Sequence, residues 1–524
     1  MTKVFMKDDK LQEALYSGIN KLADVVASTL GPKGTNVILK AKGHNPILTK
    51  DGVTIAKFID LEDPFEDAAA QIIKQASSRT AEEAGDGTTT STVLARALVN
   101  KARKYLKAGV NITQLKSGME DALLDVIKYM KEHSKQIKSI DDIRHVATIS
   151  ANGDEAIGEM IATALDKVGM DGVINIESGR TNDTRVDIAE GFSFDAGHAA
   201  NAFVTDKRKQ TTSYKNCLVF ITDHKLSVVE SMLPILEIAA REGKPLLIVA
   251  EEIEGQLLAA LIMNTVRGSM KIVAVKAPLY GEERRNLLKD LAAVTGARFV
   301  GRDSGVAFDQ FKLADFGVAE NVEVKKKQTI LLGGKSNYEI IEKTIADLKE
   351  EIKEEDDLQI CERIQQRINR LAGGVAVIRV GANTEIEMIE KRHRIEDALE
   401  AVMAAQKAGI HAGGGMALIQ AWKAVKRPTL KGDKKMGYAI VFEALKEPLW
   451  QIAKNADVSP ELVLEKASKL KPGFGIDMTT NKKVNMYEAG IVDPVQVTCC
   501  ALKNAVSVAM AILTSRHAVL EAPK

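Results

Sequence analysis

The chain of 524 residues carries 72 Lys plus Arg against 71 Asp plus Glu, a formal charge of +1, with 45% apolar and only 4% aromatic residues. That length demands several domains, and the even charge balance excludes any general reason to expect a nucleic-acid or anionic-membrane partner. With 38 Gly and 16 Met beside two Trp, cores must be built from Ala, Val, Ile and Leu, and the chain has many places to bend.

Met1-Thr2-Lys3-Val4-Phe5-Met6-Lys7 lacks the apolar run and small-residue cleavage pattern of a secretory signal. No stretch approaches the roughly 18–20 uninterrupted apolar residues of a spanning helix. Cys217 and Cys361 stand alone and Cys499 and Cys500 are adjacent, which suits neither a disulfide framework nor a zinc knuckle. A reducing, cytoplasmic compartment is the natural expectation.

Leu11, Leu15, Ile19, Leu22, Val26 and Leu30 recur at helical spacing until Gly31-Pro32, predicting a one-faced helix that stops in a turn. Val37-Ile38-Leu39 and Val53-Thr54-Ile55 read as short strands, on either side of a turn with Gly43, Asn45 and Pro46 and of the Lys50-Asp51-Gly52 corner. Helices are expected over 65–84, 88–107 and 112–133. Between about 190 and 375, the apolar runs 217–221, 246–250 and 272–275 alternate with helical patterns, which implies an α/β unit. A charged segment over 338–371, broken near Asp356-Asp357, reads as a helical pair because Leu348, Ile352, Leu358 and Ile364 are too unevenly spaced for heptads. Helices return over 385–408, 417–425, 441–456 and 495–513. The pattern is that of a mixed domain inserted into a helical one.

Gly85-Asp86-Gly87-Thr88-Thr89-Thr90-Ser91 lies between two of these helices. Its glycines permit a tight turn, the first amides of the next helix are unpaired, and Asp86 is placed to hold the cation that accompanies a phosphate. The same residues also suit an ordinary helix start after a turn. Neither a Gly-x-x-x-x-Gly-Lys-Ser/Thr loop nor a Gly-x-Gly-x-x-Gly after a strand occurs, which argues against a P-loop enzyme or a dinucleotide oxidoreductase. Small glycine turns at 31–34, 51–52, 85–87, 413–415 and 473–475 can line one pocket, with Asp51, Asp86 and Asp397 as candidates for metal and water. Taken alone, Asp397 reads as solvated helix surface.

The chain resembles the group I chaperonins, bacterial GroEL and its organellar relatives, from about Phe5 to Leu513. The resemblance is carried by Thr29-Leu30-Gly31-Pro32-Lys33-Gly34, Thr49-Lys50-Asp51-Gly52-Val53, Ala84-Gly85-Asp86-Gly87-Thr88-Thr89-Thr90, Leu371-Ala372-Gly373-Gly374-Val375-Ala376-Val377-Ile378, Arg394-Ile395-Glu396-Asp397-Ala398-Leu399 and Ala412-Gly413-Gly414-Gly415. It implies a multidomain α+β fold. Residues 1–132 with 408–524 would form a mainly helical equatorial domain, 133–189 with 375–407 a small hinge domain, and 190–374 an inserted α/β apical domain.

It further implies an ATP-driven folding machine. Leu30, Gly31 and Pro32 would face the nucleotide, Asp86, Gly87, Thr88, Thr89 and Thr90 would hold phosphates and, at Asp86, Mg2+. Thr29, Lys50 and Thr89 would neighbour K+, with Lys50 also in the nucleotide site. Asp51 and Asp397 would position the attacking water, and Gly414, Asp477 and Asp493 would meet the base. Asp477 departs from the Asn common there. Because Asp397 belongs to the hinge, hydrolysis would require that hinge to close over the pocket.

Phe203, Leu233, Leu236, Leu258, Ile262 and Met263 match the apical surface that captures unfolded or partly folded polypeptides and a lid-like co-chaperonin, by an attraction that scales with apolar area. Without the resemblance, Leu258, Ile262 and Met263 read as the buried face of an ordinary helix. His198, Ala199 and Ala202 stand where larger residues are usual, which reduces that surface by an amount on the order of 1 kcal/mol each. Ala196 replaces a basic partner of Glu385, and Trp450 and Ser459 replace a charged pair at the contact between rings. Seven-subunit rings, single or double, are therefore expected without nucleic acid or membrane. The sequence given stops at Leu520-Glu521-Ala522-Pro523-Lys524 without Gly-Gly-Met repeats; if that end is genuine, the resemblance implies a cavity floor without a flexible apolar tail.

Two rival classes remain. A noncatalytic protein-binding scaffold derived from the same fold would need a decayed pocket, yet Asp51, Asp86 and Asp397 all stand. A metabolic ATPase or kinase lacks the P-loop and kinase signatures.

Overall fold

The computed structural model describes residues 3–41, 46–169, 173–179, 181–189, 191–206, 210–303, 308–334, 338–355, 357–372 and 375–521. The Gly43 and Asn45 turn, the break at Asp356, the Gly373-Gly374 pair and residues 522–524 lie outside them. The chain forms two compact units, one of Met1–Ala162, Arg180–Asp183 and Val380–Lys524, the other of Thr163–Gly179 and Thr184–Arg379. The segments expected to form a hinge are shared between them.

The first unit is mainly helical. Asp8–Ala27, Pro64–Ala84, Thr88–Lys107, Ile112–Glu132, Gly432–Ala444 and Val495–Thr514 pack around one apolar core. The first of these buries Leu11, Leu15, Ile19, Leu22 and Val26, the predicted stripe. Val495–Thr514 is long and apolar enough to cross a bilayer by length and composition, but most of it is buried in this core. It carries Cys499, Leu502, Ala505, Val506, Ala509 and Ile512 inward.

Two expectations are corrected here. Val53-Thr54-Ile55 is not a strand but part of the helix Gly52–Phe58; the Asp51 carboxylate caps it, accepting from Val53 N at 3.1 Å and Thr54 N at 2.9 Å. A satisfied N-cap outweighs the β-branched run. The strand that pairs with Val37–Leu39 is Ile47–Thr49. The single helix expected over 441–456 is divided into Gly432–Ala444 and Glu447–Asn455, because Pro448 sits in a first turn where its missing N–H costs nothing.

In the second unit a six-stranded sheet runs in the order Ile272–Lys276, Leu246–Ala250, Thr212–Ile221, Gly317–Val324, Thr329–Gly334, Gly191–Phe194. The first three strands are parallel and the rest antiparallel. Tyr338–Glu354 and Leu358–Ala372 form the expected helical pair around Leu348, Ile364 and Ile368. The helices Val229–Glu242 and Gly255–Val266 carry the expected capture residues other than Phe203, which ends the short turn Asn201–Phe203.

Of those, Leu233 and Met263 are 44% and 48% exposed, and Leu258 and Ile262 are half-buried. Leu236 and Phe203 are not on the surface. Leu236 shares the inward stripe of Met232, Ile235 and Ala239, while Phe203 is fully buried and its carbonyl accepts from the Thr212 hydroxyl at 2.7 Å.

Trp450 is half-buried within its own unit. Its side chain hydrogen-bonds Glu461, and the Lys454 ammonium lies 5.4 Å from the ring centroid. The Ser459 hydroxyl also donates to Glu461, at 3.2 Å.

Candidate functional site

All the expected nucleotide-side residues line one cleft of the first unit, of ≈ 500 Å³, a size suited to a small ligand. The Thr88–Lys107 helix opens onto it. Its N-cap, Gly87, is left-handed at φ +82° and offers no side-chain cap, so the first amides of a 20-residue helix are left for an anion. Gly85, at φ +74°, ends the preceding helix and passes so close to Glu400 that a Cβ would lie 2.1 Å from a carboxylate oxygen. Only glycine fits there. Gly52 is equally constrained, since a Cβ would meet the Thr89 hydroxyl at 2.6 Å. The Asp51 corner is thereby seated against the helix start.

Asp86 is gripped at both oxygens. The Gly87 amide donates to Oδ1 and the Ser150 hydroxyl to Oδ2, the latter at 2.8 Å. Burial nonetheless pushes its carboxyl up, and Asp51 adds to the rise. Asp397 is held well above the usual carboxylate range, first by burial and then by repulsion from Asp51, Asp86, Glu400 and Glu396. These three carboxylates therefore feel one another across the cleft. The segment that carries Asp397 lies against the pocket and belongs to the same compact unit as its other walls.

The other wall belongs to Asp493 and the glycine turn 413–415. Burial, then Asp86, pushes Asp493 up to about 7 against the donating amides of Gly414 and Gly415. Asp477 behaves differently: burial pulls it up, but hydrogen bonds from the Thr480 hydroxyl at 2.6 Å and the Thr479 amide at 2.8 Å hold it low. Its carboxylate is committed to its own turn. Leu30, Ile452, Ile476, Met478, Met486 and Ile491 come from a single apolar cluster and form an oily lining within the same cleft. The cleft thus pairs an apolar face with an acidic, amide-rich one.

Thr29 Oγ1 and Thr89 Oγ1 are 3.5 Å apart, and Lys50 lines the cleft beside them. Among the described lining residues, Asp51, Asp86, Asp397, Asp477, Asp493 and Glu390 outnumber Lys50 and Arg394. A polyanion would enter such a cleft only with a cation. The donor set fits one: one or two carboxylates backed by ligand phosphates are the usual protein contribution to Mg2+, and threonine hydroxyls are oxygen donors of the kind K+ accepts.

Sequence reasoning missed Ser150, Asn152, Glu390, His393 and Arg394, all of which line the cleft. Helical arithmetic held the signal for three of them, because Glu390, His393 and Arg394 stand seven, four and three residues before Asp397 on the same side of the helix.

An α/β unit inserted into a helical unit, and an acidic, glycine-walled cleft in the latter, define the architecture and its candidate ligand site. The chain belongs to the TCP-1/cpn60 chaperonin family, whose sequence profile matches residues 22–522. It is similar in fold to the chaperonin gp146 from the bacteriophage EL 2 (Pseudomonas aeruginosa), crystallised in the presence of ATP-BeFx. One crystal form matches with a TM-score of 0.69 over 99% of this chain and 100% of that one, at 20% identity. The other gives 0.63 over 99% of both, again at 20% identity.

Proposed function

We propose that this chain is the subunit of an ATP-driven chaperonin, which hydrolyses ATP in the cleft and couples that turnover to capture and release of non-native polypeptides. The observation that carries the reading is the convergence of Asp51, Asp86 and Asp397 on a helix start with free amides. In this reading Gly87, Thr88, Thr89 and Thr90 hold phosphates, and Asp86 holds Mg2+. Bound there, Mg2+ would draw charge from the phosphate oxygens. Thr29, Lys50 and Thr89 flank K+. Asp51 and Asp397 orient the attacking water, and the raised carboxyl of Asp397 suits it to take up a proton. Leu30, Gly31, Pro32, Gly414, Asp477 and Asp493 enclose the remainder of the nucleotide.

The chain would divide into equatorial, hinge and apical domains, with Leu233, Leu258, Ile262 and Met263 forming the capture surface. Leu236 and Phe203 support it from beneath. A lid-like co-chaperonin would compete for the same residues.

The reading includes cytoplasmic assembly into seven-subunit rings, single or double; contact with further copies of the chain is supported by two small sheets. Lys3–Lys7 pairs only with His517–Glu521, and Val37–Leu39 only with Ile47–Thr49, among the described residues. Two-stranded sheets are marginal alone, and their edges invite pairing with another chain. Phe5 and Ile38 are 73% and 68% exposed on them.

The test is ATP turnover without any small acceptor, ATP-dependent recovery of a denatured reporter enzyme, and light scattering. The 56.8 kDa chain should give particles of about 400 or 800 kDa. A monomer sinks the reading, and polypeptide binding without hydrolysis returns the protein to a noncatalytic scaffold.

A further inference from the structure

We infer that His393 is a further contact residue of the cleft, donating a hydrogen bond to the terminal phosphate of the bound nucleotide and so setting the preference for ATP over ADP. The inference rests on the nucleotide reading of the cleft given above. His393 belongs to the run Lys391-Arg392-His393-Arg394 on the Glu385–Ala408 helix. Its two arginine neighbours are already engaged, each by a carboxylate one helical turn away and Arg394 also by one from another segment. Arg392 Nε reaches Glu396 at 2.8 Å, and Arg394 reaches Glu390 and Asp154, each at 2.9 Å.

His393 has no such partner. Among the described residues it makes no hydrogen bond or ion pair, and it lines the cleft. Standing four residues before Asp397, it shares that residue's face of the helix, about 6 Å along the axis. A half-buried histidine between two arginines is ordinarily surface. Here helical register turns it toward the pocket beside the residue that faces the reacting end of the nucleotide.

The chemistry of the cleft calls for such a donor. Its acidic end repels phosphate, and the Arg394 guanidinium is spent on Glu390 and Asp154. What remains on that side for a terminal phosphate is the amide row of the Thr88–Lys107 helix, Lys50 and His393. An imidazole carries an N–H donor in either protonation state. A group one turn beyond Asp397 would meet the terminal phosphate, which ATP has and ADP lacks.

The experiment titrates MgATP and MgADP into wild-type protein and into His393→Ala and His393→Gln, under conditions where each stays assembled. His393→Ala should weaken MgATP about 10-fold while leaving MgADP within about 2-fold, as expected for one hydrogen bond to a charged group. His393→Gln, which keeps an N–H donor, should recover most of the ATP affinity. Equal losses for both nucleotides, or no loss for ATP, overturn the inference alone. Failure of Gln to restore affinity where Ala discriminates places the effect in cavity shape and also overturns it. Absence of nucleotide binding by the wild-type protein overturns the reading of the cleft, and this inference with it.

Discussion

Ser150 Oγ donates a 2.8 Å hydrogen bond to Asp86 Oδ2, tying the last residue of the Ile140–Ser150 helix to the turn that opens the Thr88–Lys107 helix. With the Gly87 amide on the other oxygen, the carboxylate is held in one orientation before any ligand arrives. Preorganisation of this kind lowers the ordering cost of binding.

Asp86→Ala should therefore weaken binding of Mg-nucleotide itself, by about 100-fold, whereas Ser150→Ala should weaken it by about 3- to 10-fold, the worth of one net hydrogen bond. Isothermal titration with MgATP reads both. An unchanged affinity in Asp86→Ala removes the metal role from that residue.

Asp397→Ala should behave in the opposite way, leaving nucleotide binding and assembly largely intact while hydrolysis slows at least ~100-fold, because its task is the water. Pre-steady-state and steady-state ATPase measurements separate the two. Near-normal turnover would defeat the assignment.

Acidity gives a third expectation. An unfolded aspartate ionises near 3.8, whereas Asp493 keeps its proton until about 7. Between those values the folded chain holds a proton that the unfolded chain has lost, so stability falls as pH rises through that window, and the penalty is complete above it. The upward shifts of Asp86 and Asp397 act in the same direction. The nucleotide-free protein should thus melt lower at pH 8 than at pH 5. Asp493→Asn should raise Tm relative to wild type at pH 8 and not at pH 4. Equal differences at both pH values would show that the variant acts by packing instead.

Much of this was legible in the residues. The helices on both sides of Gly85-Asp86-Gly87 fell close to where periodicity placed them, since caps and apolar stripes agree there. What stayed hidden depended on tertiary neighbours. Val53-Thr54-Ile55 looked like a strand because β-branching is a local signal, while the Asp51 cap is decided by two amides. Asp397 looked like solvated surface because the carboxylates it faces across the cleft, Asp51 and Asp86, are more than 300 positions away in the chain. Leu236 and Phe203 were misplaced because a sequence match reports position along a helix, not which face the core takes.

The last prediction concerns assembly. Phe5 lies directly opposite Val519, and Ile38 opposite Leu48, so each small sheet presents a cross-strand apolar pair on one face. All four are exposed, at 73%, 51%, 68% and 41%. Such faces beside unpaired strand edges are the pattern of a surface completed by another copy of the chain. Phe5→Lys and Ile38→Lys should each place a charge in that contact while leaving the fold of the unit intact, because neither side chain supports the core. A loss of about 1–2 kcal/mol at each contact is repeated around a closed ring, so sedimentation should shift from the large particle toward the 56.8 kDa chain. A retained thermal transition and retained MgATP binding would show that the subunit itself is unharmed. Full-size particles in both variants would remove these sheets from the interface.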